Sequence, residues 1–434
     1  MTNLIAHLNS KHILREIASL LLYQSIFQTS VGKAYLNLLQ IIQKGDSNSA
    51  FACLSAYGNW FKSLATINQS WQDYLINSIL QNDNPFSQQS QLKTYTDLPS
   101  SLRDAAKHDL SALEKIYRLE SKQISEWVKT IAGINFHPLI WSIEPENHSF
   151  LAKADDWTKT IPDLAQYYKI NGIGIFAQYR AFTWSNQQLI GISHPDPVKL
   201  ADIVGYNDQK QTLIQNTKAL LSGYLALNIL LYGSRGSGKS SLVKALSNEF
   251  GVAKPDHPVS KQLKLLEVSK LELINLPTIV EKLRHLPQKF IIFVDDLSFE
   301  EDDEAFKALK VVLEGSVTSS ANNVVVYATS NRRHLVREFF AERPRPKDAD
   351  EIHTWDTLQE KLSFSDRFGI TLTFQPANQD KYLEIVHHLA STNKLSLPTE
   401  KLEFLAKQWA TRHNGFSGRT ARQFINYLVS QSNL

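Results

Sequence analysis

Cysteine is almost absent: Cys53 is the only one in 434 residues. A lone cysteine excludes an intrachain disulfide, and no Cys/His array exists to build a structural zinc site. A reducing, cytoplasmic setting fits such a chain. Also missing is any apolar run approaching the roughly 20 residues of a membrane helix. A strong excess of one charge is missing too, since 46 Lys and Arg face 43 Asp and Glu, a formal net charge of +3. That near-balance argues against a dedicated nucleic-acid binder and leaves room for a local basic patch. Lys11 and Arg15 precede an apolar stretch from Ile17 to Phe27, but no small-residue cleavage site follows as in a secretory signal. Ile13, Ile17, Leu20, Leu21 and Ile26 fall near helical spacing, which predicts an amphipathic helix instead.

What is present suits a soluble chain of two or three domains, with 43% hydrophobic and 21% charged residues. Residues 1–197 hold 16 Lys and Arg against 16 Asp and Glu, and the remainder 30 against 27. The first part is therefore neutral, and the second carries all of the excess. Ser193-His194-Pro195-Asp196-Pro197 resists helix at two prolines and reads as a linker. Ahead of it the pattern is mostly helical. Ser101 with Asp104 resembles a capping box, and Leu102, Ala106, Leu110, Leu113, Tyr117, Ile124, Trp127 and Ile131 keep the helical period. The Gln/Asn/Ser-rich stretch Gln81 to Gln91 predicts an exposed loop, and Ile170 to Trp184 predicts a short hairpin. The Trp and Tyr of this half read as core packing or, alternatively, as a ligand pocket. It shows no repeat and no catalytic constellation.

From residue 198 onward strand and helix signals alternate. Apolar runs at Leu227–Tyr232, Leu263–Val268, Phe290–Val294, Val324–Tyr327 and Ile370–Phe374 predict a parallel sheet covered by helices. Gly233-Ser234-Arg235-Gly236-Ser237-Gly238-Lys239-Ser240 satisfies G-x-x-x-x-G-K-[ST] at every fixed position, and Ser241 follows. A strand leads into it, and a helix from Lys239 to about Phe250, stopped by Gly251, leads out. The glycines let backbone N–H groups turn toward phosphate oxygens, and the helix N-terminus adds positive potential. In this motif Lys239 reaches the β- and γ-phosphates and the Ser240 hydroxyl ligates Mg²⁺.

Phe290-Ile291-Ile292-Phe293-Val294-Asp295-Asp296 is a buried strand ending in paired acids, the Walker B pattern. Asp295 is placed to hold Mg²⁺ and Asp296 to polarise an attacking water. Asn393-Lys394 is followed by Leu395-Ser396, so the Asn-Lys-x-Asp guanine reader is missing. Leu221-Ser222-Gly223 breaks off at Tyr224, so no ABC-type signature is present.

These residues resemble an AAA+ ATPase module. The second half is similar to an uncharacterised bacterial family of AAA+ proteins known only as a domain of unknown function, over about residues 198–432. Leu200-Ala201-Asp202-Ile203-Val204-Gly205-Tyr206 resembles the leading segment that lies beside the adenine, which implies a binding role for Val204 and Gly205. Tyr327-Ala328-Thr329-Ser330-Asn331-Arg332-Arg333-His334-Leu335 resembles the sensor 1 strand, with Asn331 at the sensing position, although Asn331 also suits a helix cap. Leu362-Ser363-Phe364-Ser365-Asp366-Arg367-Phe368-Gly369 resembles the arginine-finger segment. The resemblance implies that Arg367 reaches the ATP of a neighbouring subunit; otherwise it is a surface salt-bridge partner. Gly415-Phe416-Ser417-Gly418-Arg419-Thr420-Ala421-Arg422-Gln423-Phe424 resembles the start of the sensor 2 helix, with Arg419 as the sensor or Arg422 as the alternative.

Two departures stand out. AAA+ enzymes generally carry Asp-Glu in Walker B, where this chain has Asp295-Asp296, a pair the resembled family shares. Ser269-Lys270-Leu271-Glu272-Leu273-Ile274-Asn275-Leu276 lacks the aromatic-hydrophobic-Gly loop of protein-threading motors. The insert Glu342-Arg343-Pro344-Arg345-Pro346-Lys347-Asp348-Ala349-Asp350-Glu351 predicts a mobile surface loop or a partner contact.

The expected architecture is α/β. A mainly helical N-terminal domain covers 1–165, for partner recognition or oligomerisation. A strand-like connector covers 166–197, an AAA+ nucleotide-binding domain 198–375, and a helical lid 376–434. The expected function is a Mg²⁺-dependent AAA+ ATPase that remodels or assembles an unknown partner and forms a ring or spiral. The alternatives are a nucleotide-gated switch with slow or partner-dependent hydrolysis, and a nucleic-acid remodeller akin to helicase loaders. The last has little support from a net charge of +3.

Overall fold

In the computed structural model the described residues are 2–45, 50–143, 149–252, 258–299, 304–314, 321–331, 364–413 and 415–432. The charged insert 342–351 and residues 332–335 and 362–363 of the quoted motifs lie outside them. The chain divides into two compact units, Met1–Gln178 and Tyr179–Leu434. Among the described residues no helix is long and apolar enough to cross a membrane.

Among its described residues the first unit has helices and no strand. In chain order it has α1 (Thr2–Ala18), α2 (Ser30–Lys44), α3 (Ala50–Ile67), α4 (Trp71–Leu80) and α5 (Pro85–Ser90). There follow α6 (Ser100–Tyr117), α7 (Ser121–Ala132), α8 (Phe150–Lys153), α9 (Ile161–Asn171) and α10 (Gly174–Gln178). The predicted N-terminal helix forms but stops at Ala18, short of the apolar stretch. Fully buried Asp109 of α6 explains the stop, because its carboxylate accepts from the N–H groups of Leu21, Leu22 and Tyr23 at 2.7–3.1 Å. Leu20 and Ile26 still reach the core, whereas Leu21 is exposed. At the centre of the unit Tyr35 stacks on Trp71 at 4.0 Å with Trp60 beside it, so these aromatics pack a core. Cys53 is buried there as a free thiol, and burial pushes it up to about 11.

Two local expectations are corrected. Ser101 does not cap α6, which starts at Ser100 behind Pro99 with no side-chain cap. The Gln81–Gln91 stretch is not an exposed loop. It contains α5, whose Phe86, Ser87 and Ser90 are buried. Asn84 accepts from Phe86 N and Ser87 N while the Ser87 hydroxyl accepts from Asn84 N, a reciprocal cap that hides the polar groups from water.

In the second unit the chain runs β1 (Ala181–Ser185), β2 (Gln188–Gly191), α11 (Asn207–Leu221), β3 (Ile229–Gly233), α12 (Lys239–Phe250), β4 (Leu263–Glu267) and α13 (Leu276–Arg284). It continues through β5 (Lys289–Val294), α14 (Glu304–Glu314), β6 (Val324–Ser330) and β7 (Ile370–Phe374). Three lid helices close it: α15 (Gln379–Thr392), α16 (Thr399–Arg412) and α17 (Gly418–Ser432). The five predicted strands all form. The sheet order is β2-β1-β4-β5-β6-β3-β7, parallel except for the β1–β2 hairpin. The hairpin expected from Ile170 therefore begins only at Ala181, because residues 174–178 are helical. It lies within the 166–197 interval expected as connector, yet β1 extends the main sheet beside β4. Helices cover both sheet faces, so β5 and β6 are buried almost end to end, as continuous apolar runs require. The lid has its own core of Tyr382, Val386, Ala406, Ala421, Phe424 and Ile425.

Candidate nucleotide site

Parallel strands bring their C-terminal ends to one edge, and there β3, β5 and β6 deliver the motif residues. Gly233 ends β3 at φ +140°, where an added Cβ would sit 2.0 Å from the Phe374 carbonyl oxygen, so only glycine fits. The loop is pinned to β7 by Ser234 N donating to Phe374 O at 3.1 Å. Gly238, at φ +87°, is the N-cap of α12, and the first residues of that helix line a cleft. Lys239 is buried and donates to the carbonyls of Gly233 and Ser234 at 2.9 and 2.8 Å. Burial lowers its pKa, while Asp295 and Asp296 pull it back up.

The acids follow from the strand order. Because β6 lies between β3 and β5, the end of β6 stands between the phosphate loop and the acids. Asp295 Oδ1 accepts from Ser240 Oγ at 2.6 Å and from Thr329 Oγ1 at 2.5 Å. Asp296 N donates to Thr329 Oγ1 at 2.9 Å, and Asn331 Nδ2 donates to Asp296 Oδ1 at 2.6 Å. Asn331 Oδ1 lies 3.5 Å from the Lys239 ammonium. Asp296 has φ +51°, the left-handed region that Asp and Asn tolerate better than longer side chains.

The lid supplies the opposite wall. Gly418 N, at the start of α17, donates to Gly236 O at 3.0 Å, and a Cβ on Gly236 would press on Ser417 and Arg419. Between lid and sheet edge lies a cleft of about 520 Å³. Val204, Arg235, Gly236, Ser237, Gly238, Lys239, Ser240, Ser241, Asp295, Asp296, Asn331, Arg419 and Arg422 all line it. Both lid arginines thus face the cleft, and α17 carries no acid to neutralise them. Gly233 and Ser234 meet Lys239 from below through their carbonyls. Gly205, at φ +76°, abuts the Lys381 side chain, whose ammonium lies 3.4 Å from the Tyr206 ring centre.

Arg367 is not in this cleft. It sits in the turn Phe364–Arg367 and pairs with Glu314 at the end of α14. Sequence reasoning missed several lining residues: Asp202, Ile203, Thr329, Ile385, Leu389, Gln423 and Asn426. The signal was there for two of them, since Gln423 and Asn426 fall four and seven residues after Arg419 on the same helix. A separate cavity of about 390 Å³ between α13, α14 and β6 contains none of the motif residues.

Could this site hold Mg²⁺? The donor set is a serine hydroxyl and a carboxylate 2.6 Å apart, hard oxygens of the kind the ion prefers. Among the described residues no group of three or more His, Cys, Asp or Glu could hold a metal. A Mg²⁺ bound between one or two such groups, water and phosphate oxygens needs none.

A parallel sheet with the phosphate-loop strand flanked by β6 and β7, paired acids on β5 and a three-helix lid define an AAA+ P-loop module. The chain belongs to the family described as "Protein of unknown function (DUF815)", whose model matches residues 177–432. Among solved structures it is similar to the Thermotoga maritima RuvB Holliday junction branch migration motor, at 15% identity and a TM-score of 0.35. A point mutant of the same RuvB matches at 18% identity and a TM-score of 0.37. Each match covers 53% of this chain, and the shares of the RuvB chain are 63% and 64%, under two thirds of its length.

Proposed function

We propose that the chain is a Mg²⁺-dependent ATPase of the AAA+ type, coupling nucleotide turnover to the remodelling or assembly of a partner. The observation that carries this reading is the linked set Lys239–Asn331–Asp296 and Ser240–Asp295–Thr329 on one sheet edge. The loop N–H groups and Lys239 bind the β- and γ-phosphates. Ser240 and Asp295 would hold Mg²⁺, which when bound neutralises charge on the phosphates. Asp296 accepts from Asn331 through Oδ1, and its other oxygen would accept a hydrogen bond from an attacking water. Asn331 fixes that carboxylate, so the end of β6 responds to what occupies the γ-phosphate position. Arg419 or Arg422 neutralises phosphate charge from the lid, and Arg367 acts on a neighbouring subunit in a ring or spiral.

A switch with slow hydrolysis is the second reading. It is favoured by the second Walker B acid being the shorter aspartate, Asp296, whose side chain would reach less far toward an attacking water than a glutamate. The helical unit Met1–Gln178 is the proposed partner-recognition part. Steady-state phosphate release with Mg²⁺-ATP tests the main reading. Lys239→Ala should lower turnover by about two orders of magnitude or more, in line with loss of a transition-state contact. Turnover that survives in this variant would overturn the assignment.

A further inference from the structure

The cleft-facing side of α17 carries Arg419, Arg422, Gln423 and Asn426. Their spacing of three, four and seven residues sets them along one stripe. The helix starts at the phosphate loop, at the bond from Gly418 N to Gly236 O. At a rise of about 1.5 Å per residue, Gln423 lies about 8 Å and Asn426 about 12 Å along the axis from that bond. Arg419 therefore stands at the phosphate end and Asn426 farthest from it, with Arg422 and Gln423 side by side between them. Ile203, Val204, Ile385 and Leu389 give the cleft apolar walls. Both carboxamides are exposed to the cleft and have no hydrogen-bond partner among the described residues. The acid nearby, Asp202, already accepts from Lys199 N through Oδ2 at 2.8 Å.

We infer that Gln423 and Asn426 read the nucleobase and make the site select adenine over guanine. This rests on the ATP reading above and adds what reads the base. A carboxamide offers a donor and an acceptor side by side. Adenine presents the complement along one edge, an amino donor at N6 and an acceptor at N7. Guanine presents two acceptors there, O6 and N7, so the carboxamide oxygen would oppose an acceptor. The aliphatic walls take the ring faces, which carry no base identity. Because the phosphates are held by the loop and the base by the lid, an adenine nucleotide joins the two and a guanine nucleotide does not.

Calorimetric titration of the full chain with Mg²⁺-ATP, Mg²⁺-GTP and Mg²⁺-tripolyphosphate tests this. The wild type should prefer ATP over GTP by about tenfold or more. Asn426→Leu and Gln423→Leu should each shrink that preference severalfold, mainly by weakening ATP. Tripolyphosphate binding should stay unchanged, which also reports that the variants are folded. Equal wild-type affinity for ATP and GTP overturns the inference, as does a preference untouched in both variants, while tripolyphosphate binding leaves the phosphate site standing. Failure of all three ligands to bind the wild type overturns the nucleotide reading together with it.

Discussion

Thr329 does two jobs with one oxygen. Its hydroxyl donates to Asp295 Oδ1 and accepts from Asp296 N, so one side chain of an almost fully buried residue ties both acids to β6. Thr329→Val keeps the shape and removes both bonds. It leaves Asp296 N without this acceptor, and it leaves Asp295 Oδ1 with the Ser240 hydroxyl but without that of Thr329. Denaturant unfolding should show a loss of about 1–3 kcal/mol. Hydrolysis should fall by tenfold or more while ATP affinity changes little, whereas Thr329→Ser should retain both properties. Equal loss of binding and turnover would mean that Thr329 only supports the fold. The loop glycines, Lys239, Ser240 and the paired acids were legible in the sequence because their chemistry fixes short spacings. Thr329 was not, because its role depends on β6 lying beside β5, and strand order leaves no mark on local spacing. The left-handed backbone of Asp296 was hidden for a similar cause, since a φ angle leaves no mark on residue spacing.

At the scale of elements, buried strands and periodic helices could be read from the sequence, while capped polar segments could not. All five strands predicted after residue 198 form: β5 and β6 are almost continuously apolar because both their faces are covered, whereas β7, at the sheet edge, alternates buried or half-buried residues with exposed Thr371 and Thr373. The stretch around Asn84 misled because Asn, Gln and Ser there signal a loop, as they do where water satisfies them. Here they satisfy one another. Asn84 caps α5, donates to Asn82 Oδ1 at 2.9 Å, and Asn82 in turn donates to Ser25 Oγ at 3.0 Å. The start of β1 was misjudged for a different reason: its parallel partner β4 lies about eighty residues later, beyond any local pattern. Asn84→Ala should therefore destabilise the first unit by about 1–2 kcal/mol, the usual loss for an N-cap. Thermal unfolding followed by near-ultraviolet absorption of the buried Trp cluster would read it. Asn84→Asp, which can still accept from Phe86 N and Ser87 N, should recover part of the loss. A variant as stable as the wild type would mean that water replaces the cap.

For the whole molecule, the question is whether one chain holds a complete site. Lys239, Ser240, Asp295, Asp296, Asn331, Arg419 and Arg422 converge within the second unit, but Arg367 points elsewhere and is engaged by Glu314. An arginine acting between subunits must exchange that carboxylate for a phosphate, and assembly would supply the phosphate. Complementation separates the two roles. On the proposed reading, Lys239→Ala would remove a subunit's own phosphate contact, and Arg367→Ala what it would lend to its neighbour. Each variant alone should be inactive, and Arg367→Ala should still bind ATP. In a randomly mixed one-to-one assembly, a site is intact when an Arg367→Ala subunit is followed by a Lys239→Ala subunit, which restores about a quarter of the sites. Phosphate release by the mixture is the measurement. If Arg367→Ala alone retains full turnover, Arg367 is the surface ion-pair partner of Glu314 and no more. A mixture that co-assembles and stays inactive excludes action in trans, because the two defects then fall within one subunit's own site.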